Sequence, residues 1–326
     1  MQNVDRSGSI RLCMVMMLAT LPAPMAGTSR ASTMKETAKA SGVGAAALAS
    51  GAAMTNNTMH AAKDTRTLRE RYDDVRARVA AAAERSGRRA SDIMLVAVTK
   101  YASIEEIREL VSFGHVDLGE NRVQQMVQRA AMIDEFNVRR RERGASAGDA
   151  PPVRWHMIGS LQRNKVRAAI EVSKLIHSVD SLRLAEELQE HAEERSRGPG
   201  GEHMPPVDVL VEVNVAGERS KHGVAPAAAR HLVDMIDTMV ALRPRGLMCM
   251  APNTGSIDDA RRTFIRCKEL FDEIRAIQSG GERFDILSMG MSGDYEVAIE
   301  CGANLVRVGS AIFGDPKPGM EEQEEE

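Results

Sequence analysis

Ile93-Met94-Leu95-Val96-Ala97-Val98-Thr99-Lys100 is followed almost at once by Ser103-Ile104-Glu105-Glu106. The first stretch is a continuous apolar run rich in β-branched residues, the pattern of a parallel strand buried on both faces. The second reads as the opening of a helix. A strand that delivers a lysine and then turns into a helix is the start of a βα unit. In α/β barrels the chemistry gathers at the carboxyl ends of such strands. An amine held there can be desolvated, its pKa lowered, and a carbonyl captured as a Schiff base. Taken alone, this strand favours the plainer reading, that Lys100 marks the point where a strand leaves the core for solvent, and the rest of the chain reverses that preference.

The pattern repeats along the chain. Strand-like runs fall at 92–99, 116–118, 153–158, 174–178, 207–215, 245–250, 284–288 and 304–308. Helical patterns fill 103–113, 121–135, 163–171, 181–195, 226–241, 257–279 and 293–301, with a short final helix from Ser310. Eight strands, each followed by a helix, predict a single (β/α)8 TIM barrel of the α/β class. A further helix precedes them from about Asp64, with Leu68, Tyr72, Val75, Val79 and Ala82 near a 3.6-residue period, and is expected to close the barrel bottom. The competing architecture, an open doubly wound sheet, lacks its expected GxGxxG after a strand. The polar stretches Arg139–Pro152 and Glu194–Pro206 read as surface insertions without motifs.

Composition removes several function classes. Lys and Arg total 43 against 46 Asp and Glu, a formal net charge of -3, which offers no electrostatic case for nucleic acid or a membrane surface. Aromatic residues are 3% of the chain, too few for base-stacking platforms. The four cysteines, Cys13, Cys249, Cys267 and Cys301, form no CxxC pair, so neither a zinc site nor a disulfide framework is indicated. Residues 1–63 form a low-complexity leader rich in Ala, Ser, Thr, Gly and Met, with Asp5 and Glu36 its acids. Arg6 and Arg11 precede an apolar stretch, Leu12 to Leu21, that is too short to span a bilayer. A secretory signal, an organellar transit peptide and a plain leader all fit, and the expected location is cytoplasmic or mitochondrial. The barrel is expected over 64–316, and 317–326 reads as an acidic, solvated tail.

The expected strand ends collect polar and small residues. They include Gly119-Glu120-Asn121, His177-Ser178-Val179-Asp180, Glu212-Val213-Asn214, and Met248-Cys249-Met250. The ends of expected strands seven and eight are the sharpest. Gly290-Met291-Ser292 precedes one helix and Arg307-Val308-Gly309-Ser310 the next. Together they supply backbone donors, small residues that allow close approach, and a cation, which is what a phosphate requires. Phosphate sites after strands seven and eight recur in this fold. With Lys100 on the same rim, the expected ligand carries both a phosphate and a carbonyl. Pyridoxal 5'-phosphate (PLP) meets both conditions.

Five segments in order, Val96–Lys100, Gly119–Gln124, Trp155–Lys165, Leu287–Ser292 and Val306–Gly314, resemble the pyridoxal phosphate homeostasis proteins, the YggS/PROSC family. The resemblance runs from roughly Thr65 to Gly314. It implies a barrel like the N-terminal domain of alanine racemase, with PLP held by Lys100 as an aldimine. Ser292, Arg307, Gly309 and Ser310 are then expected at the phosphate, and Asn121, Asn214, Met250 and Ser288 around the ring. The family often has Ser-Lys followed closely by proline, where this chain has Thr99-Lys100 and Tyr101-Ala102-Ser103. Neither departure removes the amine.

The implied role is a PLP-binding protein of intracellular vitamin B6 homeostasis without efficient catalysis. Its partners would be PLP and PLP-dependent apo-enzymes, and its state a monomer or weak homodimer. No metal is expected. The alternative is a PLP-dependent racemase or decarboxylase of the same barrel type. Barrel racemases take a tyrosine from a second, β-rich domain, and little sequence follows strand eight here. Cys249 could serve as a base in its place, but strand alternation sets it on the opposite face from Met250, so one of the two must point out of the barrel.

Overall fold

In the computed structural model the described residues are 65–144, 152–197, 204–218, 222–277 and 279–315. The readings of 1–63 as a leader and 317–326 as a tail lie outside them. Eight parallel strands close into a barrel in sequence order: β1 (Met94–Val98), β2 (Asp117–Glu120), β3 (Arg154–Met157), β4 (Ser173–Val179), β5 (Val207–Glu212), β6 (Leu242–Met248), β7 (Ile286–Ser288) and β8 (Leu305–Val308). β8 returns to pair with β1, Ala97 opposite Val308. The expected TIM barrel is therefore the observed fold.

The helices are α1 (Leu68–Arg85), α2 (Ile104–Ser112), α3 (Val123–Glu142), α4 (Val166–Val172), α5 (Leu182–Ser196), α6 (Pro226–Asp237), α7 (Ile257–Ala276), α8 (Tyr295–Glu300) and α9 (Ser310–Phe313). Their starts follow from the sequence. Thr67 and Ser103 cap α1 and α2, each with a glutamate three residues on that returns a bond to the cap backbone. Pro226 opens α6, where its missing N–H costs nothing. α3 runs on through Arg139, Arg140 and Arg141, which were expected in an insertion. Basic side chains in a last turn interact favourably with the helix dipole, so this charge run extends the helix. Likewise α5 reaches Ser196. Within the expected insertions, residues 145–151 and 198–203 lie outside the described residues.

α1 packs against α8 and α9. Arg71 Nε donates to Ile312 O at 2.8 Å, and Arg85 pairs with Glu300 at 2.9 Å. The helix borders the amino-terminal mouth of the barrel without plugging it. A cleft of about 1030 Å3 remains between α1 and the strand starts, which corrects the expectation of a closed bottom. Among the described residues no helix is long and apolar enough to cross a membrane.

Strand alternation splits the core into two layers. The larger lies between strands and helices and includes Trp155, Met157, Ile176, Leu247, Cys249 and Val306. The smaller lies inside the barrel and comprises Val96, Leu175, Leu210, Met248 and Leu305, with Met94, Met250 and Ile286 packed on it. One glycine is indispensable to this closure. β5 skips a residue against β6, from the pair Val209–Pro244 to Leu210–Gly246. Gly246 takes φ +150°, and a Cβ there would sit 1.7 Å from Ile286 O.

Candidate functional site

A cavity of about 630 Å3 opens at the carboxyl ends of the strands, a volume ordinary for a small-molecule site. Lys100 stands at its wall, two residues past β1. The backbone that presents it is clamped. Thr99 N donates to Gly119 O at 2.9 Å, and Ala102 N to Thr99 O at 2.8 Å. From α3, Arg129 donates to Thr99 O at 2.5 Å and to Ala102 O at 2.9 Å. Its Nη1 also meets Glu120, a wholly buried carboxylate that accepts a further bond from the Thr99 hydroxyl. Burial pushes the Glu120 pKa up, and the Arg129 charge opposes it. Lys100 thus projects from a segment tied on both sides. Its Nζ lies 4.4 Å from the ring centroid of Tyr101, which also lines the cavity.

Beside Lys100 the loops after β7 and β8 are stitched together. Ser292 Oγ accepts from Gly309 N at 3.1 Å and from Ala311 N at 3.3 Å. Ser292, Gly309 and Ser310 all line the cavity. Two backbone donors therefore converge on the Ser292 hydroxyl at the rim, which leaves that hydroxyl its own proton to give to an anionic oxygen in the cavity. Gly309 packs tightly: a Cβ would stand 3.3 Å from Val98. On the opposite wall Asn121 lines the cavity, and Gly159 lies so close to it that a Cβ would sit 2.3 Å from Asn121 O. Met250 lines the cavity as well.

Three expected residues stand away from the rim. Arg307 lines the cavity, but from below the rim. It is only 4% exposed, on the inner face of β8, two residues deeper than Gly309. Its Nη1 donates to Ser288 Oγ and its Nη2 to Cys249 O at 3.1 Å, so the guanidinium forms floor and not rim. Ser288 is fully buried beneath it and does not line the cavity. Asn214 also lies outside the lining. Its Nδ2 donates to Glu218 O at 2.8 Å and its Oδ1 accepts from Gly217 N at 2.9 Å, so the side chain closes a turn after β5.

Glu212 and His222 also line the cavity and had no expected role. Glu212, at the end of β5, is buried, and that burial, with the Asp180 charge adding, raises its pKa to about 7. His222 lines the cavity and stands 3.9 Å from Asp180. The available signal for Glu212 was parity: it follows Asp208 and Leu210 at alternate positions of one strand. Cys249 belongs to the outer layer. Its neighbour there is Cys267 of α7, whose thiol is pushed up by its hydrogen bond with Cys249 and by burial. Of the two residues that alternation opposed, Met250 faces the cavity and Cys249 faces away.

With this geometry in view, comparison with known proteins is direct. The family model for the alanine racemase N-terminal domain matches residues 64–317. The Pyridoxal phosphate homeostasis protein of Pseudomonas aeruginosa is 35% identical over 248 residues, covering 76% of this chain and 95% of that one. Its Escherichia coli counterpart is 33% identical over 241 residues, covering 74% and 93%. Among solved structures, PipY of Synechococcus elongatus with PLP bound superposes with a TM-score of 0.61 at 28% identity, covering 76% of this chain and all of that one. An alanine racemase from Clostridium difficile, 14% identical with a TM-score of 0.53, shares the fold.

Proposed function

The chain belongs to the alanine racemase N-terminal-domain family, among its pyridoxal phosphate homeostasis proteins, and on that premise we propose that it binds PLP through Lys100 and serves to hold and hand on the cofactor. The observation that carries this reading is a juxtaposition. One cavity offers a clamped lysine, a rim where the Gly309 and Ala311 backbone donors converge with Ser292, and a buried arginine floor. Lys100 supplies the amine for the aldehyde carbon. Ser292, Gly309 and Ser310 hold the phosphate. Asn121, Met250 and Arg307 would meet the ring. Ser288 acts through Arg307, and Asn214 shapes the loop after β5.

When bound, the cofactor supplies an electron-withdrawing ring and a reactive aldehyde. The protein's contribution is to shelter that aldehyde and keep its free concentration low, with PLP-dependent apo-enzymes as recipients. The relatives carry homeostasis names and not enzyme names. The alternative, a racemase or decarboxylase, needs a second positioned base facing Lys100. Cys249, facing α7, does not answer that need. Three described cysteines are free thiols, which suits the reducing interior of a cell.

The test is absorbance of the purified protein with and without borohydride, followed by peptide mapping. The unaltered chain should show a visible cofactor band and, after reduction, a pyridoxyl adduct at Lys100. Lys100→Ala should be folded and colourless. A stoichiometric adduct in that variant, at Lys165 or Lys221, would overturn the assignment. Turnover of alanine, serine or a basic amino acid at about 1 s⁻¹ or more would replace the carrier role by the enzyme alternative.

A further inference from the structure

The inside of a (β/α)8 barrel is ordinarily filled by branched aliphatic side chains. Here a chain of polar groups crosses it. On β7, Ser288 Oγ accepts from Arg307 and lies 3.1 Å from His177 Nδ1 on β4. His177 Nε2 lies 3.1 Å from His156 Nδ1 on β3, and His156 Nε2 lies 3.2 Å from Asp117 Oδ1 on β2. Arg154 closes the line with bonds of 2.6 and 2.5 Å to the two Asp117 oxygens. His177 and Ser288 are completely buried, and His156 is 2% exposed. Buried polar groups in this number are costly unless every one is matched, so their pairing is the first question to ask of them.

Both ends fix the direction of every bond between them. A guanidinium only donates and a carboxylate only accepts. Ser288 therefore accepts from Arg307 and has its own proton to give, which His177 Nδ1 takes. With one proton on each imidazole, His177 then donates from Nε2 to His156 Nδ1, and His156 donates from Nε2 to Asp117. The same assignment results from starting at Asp117 and working back. A doubly protonated His156 would turn His177 round, make its Nδ1–H a second donor to Ser288 Oγ beside Arg307, and leave the Ser288 proton without an acceptor in the chain. Burial, together with His156 and Arg307, holds the His177 pKa well below the usual imidazole value, in keeping with a neutral ring.

We propose that His177 is a positioning residue for Arg307, acting through Ser288, and that His156 and Asp117 hold His177 in turn, so that the cation under the cavity is oriented by a polarised hydrogen-bond chain running from β8 to β2. The link to the cofactor rests on the reading that PLP occupies the cavity above Arg307. The chain itself does not. Its second anchor is Cys249 O, so Arg307 is held by β7 through a side chain and by the end of β6 through backbone. Only the first of these is adjustable by sequence. Losing it leaves the guanidinium a single fixed bond and a choice of rotamers.

The experiment has two arms. In cofactor-free protein, two-bond 1H–15N spectra should show His156 and His177 each protonated at Nε2 and bare at Nδ1, the His177 signals being assigned by their loss in His177→Gln. A proton on Nδ1 of either ring overturns the proposal. In the second arm PLP is titrated. His177→Phe should weaken PLP roughly tenfold, the factor that about 1.4 kcal/mol represents, and shift the absorption maximum of the bound cofactor. His177→Gln can accept from Ser288 and donate to His156, and should restore both properties. A folded His177→Phe with unchanged affinity and spectrum overturns the proposal, and so does a His177→Gln no better than phenylalanine. Should the phenylalanine variant not fold, the glutamine variant and the spectra of the unaltered chain still decide. Failure of the unaltered chain to bind PLP at all would sink the cofactor reading, with the tautomer result left to judge the chain on its own.

Discussion

Arg307→Gln should weaken PLP and pyridoxal by the same factor. The guanidinium is 4% exposed and makes two bonds, to Ser288 Oγ and Cys249 O. Glutamine is shorter and carries one donor group, so it satisfies at most one of these acceptors and removes the cation from the cavity floor. A hydrogen bond from a charged donor contributes about 1.5–3 kcal/mol. If that much of the floor's contact with a ligand ring is lost, affinity falls roughly ten- to a hundredfold. Pyridoxal has the ring and the aldehyde but no phosphate, so paired absorbance titrations of the two ligands isolate the part Arg307 meets. The rim of Ser292, Gly309 and Ser310 is untouched by the substitution and should keep its share of PLP affinity. A PLP loss at least ten times larger than the pyridoxal loss would mean that the guanidinium serves the phosphate, and the placement of Arg307 at the ring would be wrong.

Other outcomes follow from burial and charge. Glu212 has its folded pKa raised to about 7 from an ordinary 4.5, so the folded state binds the extra proton between those values. Its favourable contribution is complete below about pH 4.5 and lost as pH rises through about 7, at most roughly 3 kcal/mol. Denaturant titrations should therefore show Glu212→Gln gaining stability relative to the parent as pH goes from 5 to about 8; a constant difference would refute this. Asp117 behaves oppositely. Burial would raise its pKa, but hydrogen bonds from His156 and Arg154 outweigh burial and bring it to about 2 from 3.8. Its contribution is present above the ordinary value and lost as pH falls towards 2, so Asp117→Asn should cost about 2 kcal/mol at neutral pH and little in acid. Gly246→Ala forces a Cβ to 1.7 Å from the Ile286 carbonyl oxygen and should cost more than about 3 kcal/mol, read as loss of soluble, cooperatively unfolding protein. A stable alanine variant would show that the β6–β7 seam can relax.

The barrel was legible because its strands are apolar runs with turns at regular intervals. Misjudged boundaries have local causes. β6 begins at Leu242, before Pro244, whereas its expected start lay after that proline. Proline ordinarily argues against a strand interior. The skip from Pro244 to Gly246 is the irregularity that admits it. β5 stops at Glu212 although Val213 and Val215 continue the apolar run, because Asn214 uses its side chain to turn the backbone. At the site, Lys100, Asn121, Met250, Ser292, Gly309 and Ser310 come to one cavity as expected from strand ends. The depth of Arg307 was not legible, since two residues along a strand shift a side chain by about 7 Å without changing its face. The inward histidines could have been read from parity in β3, where Trp155 and Met157 alternate with His156.

β1 and β8 are the first and last strands, and the barrel is sealed by pairing them. Lys100 follows one, and Gly309 and Ser310 follow the other. The two ends of the cavity are thus encoded far apart along the described chain, and contacts of such long sequence separation carry a large loop-closure entropy. During synthesis Lys100 therefore exists before the rim of Ser292, Gly309 and Ser310 has been made. On the proposed function, selectivity for a phosphorylated aldehyde over aldehydes in general would belong only to the completed barrel.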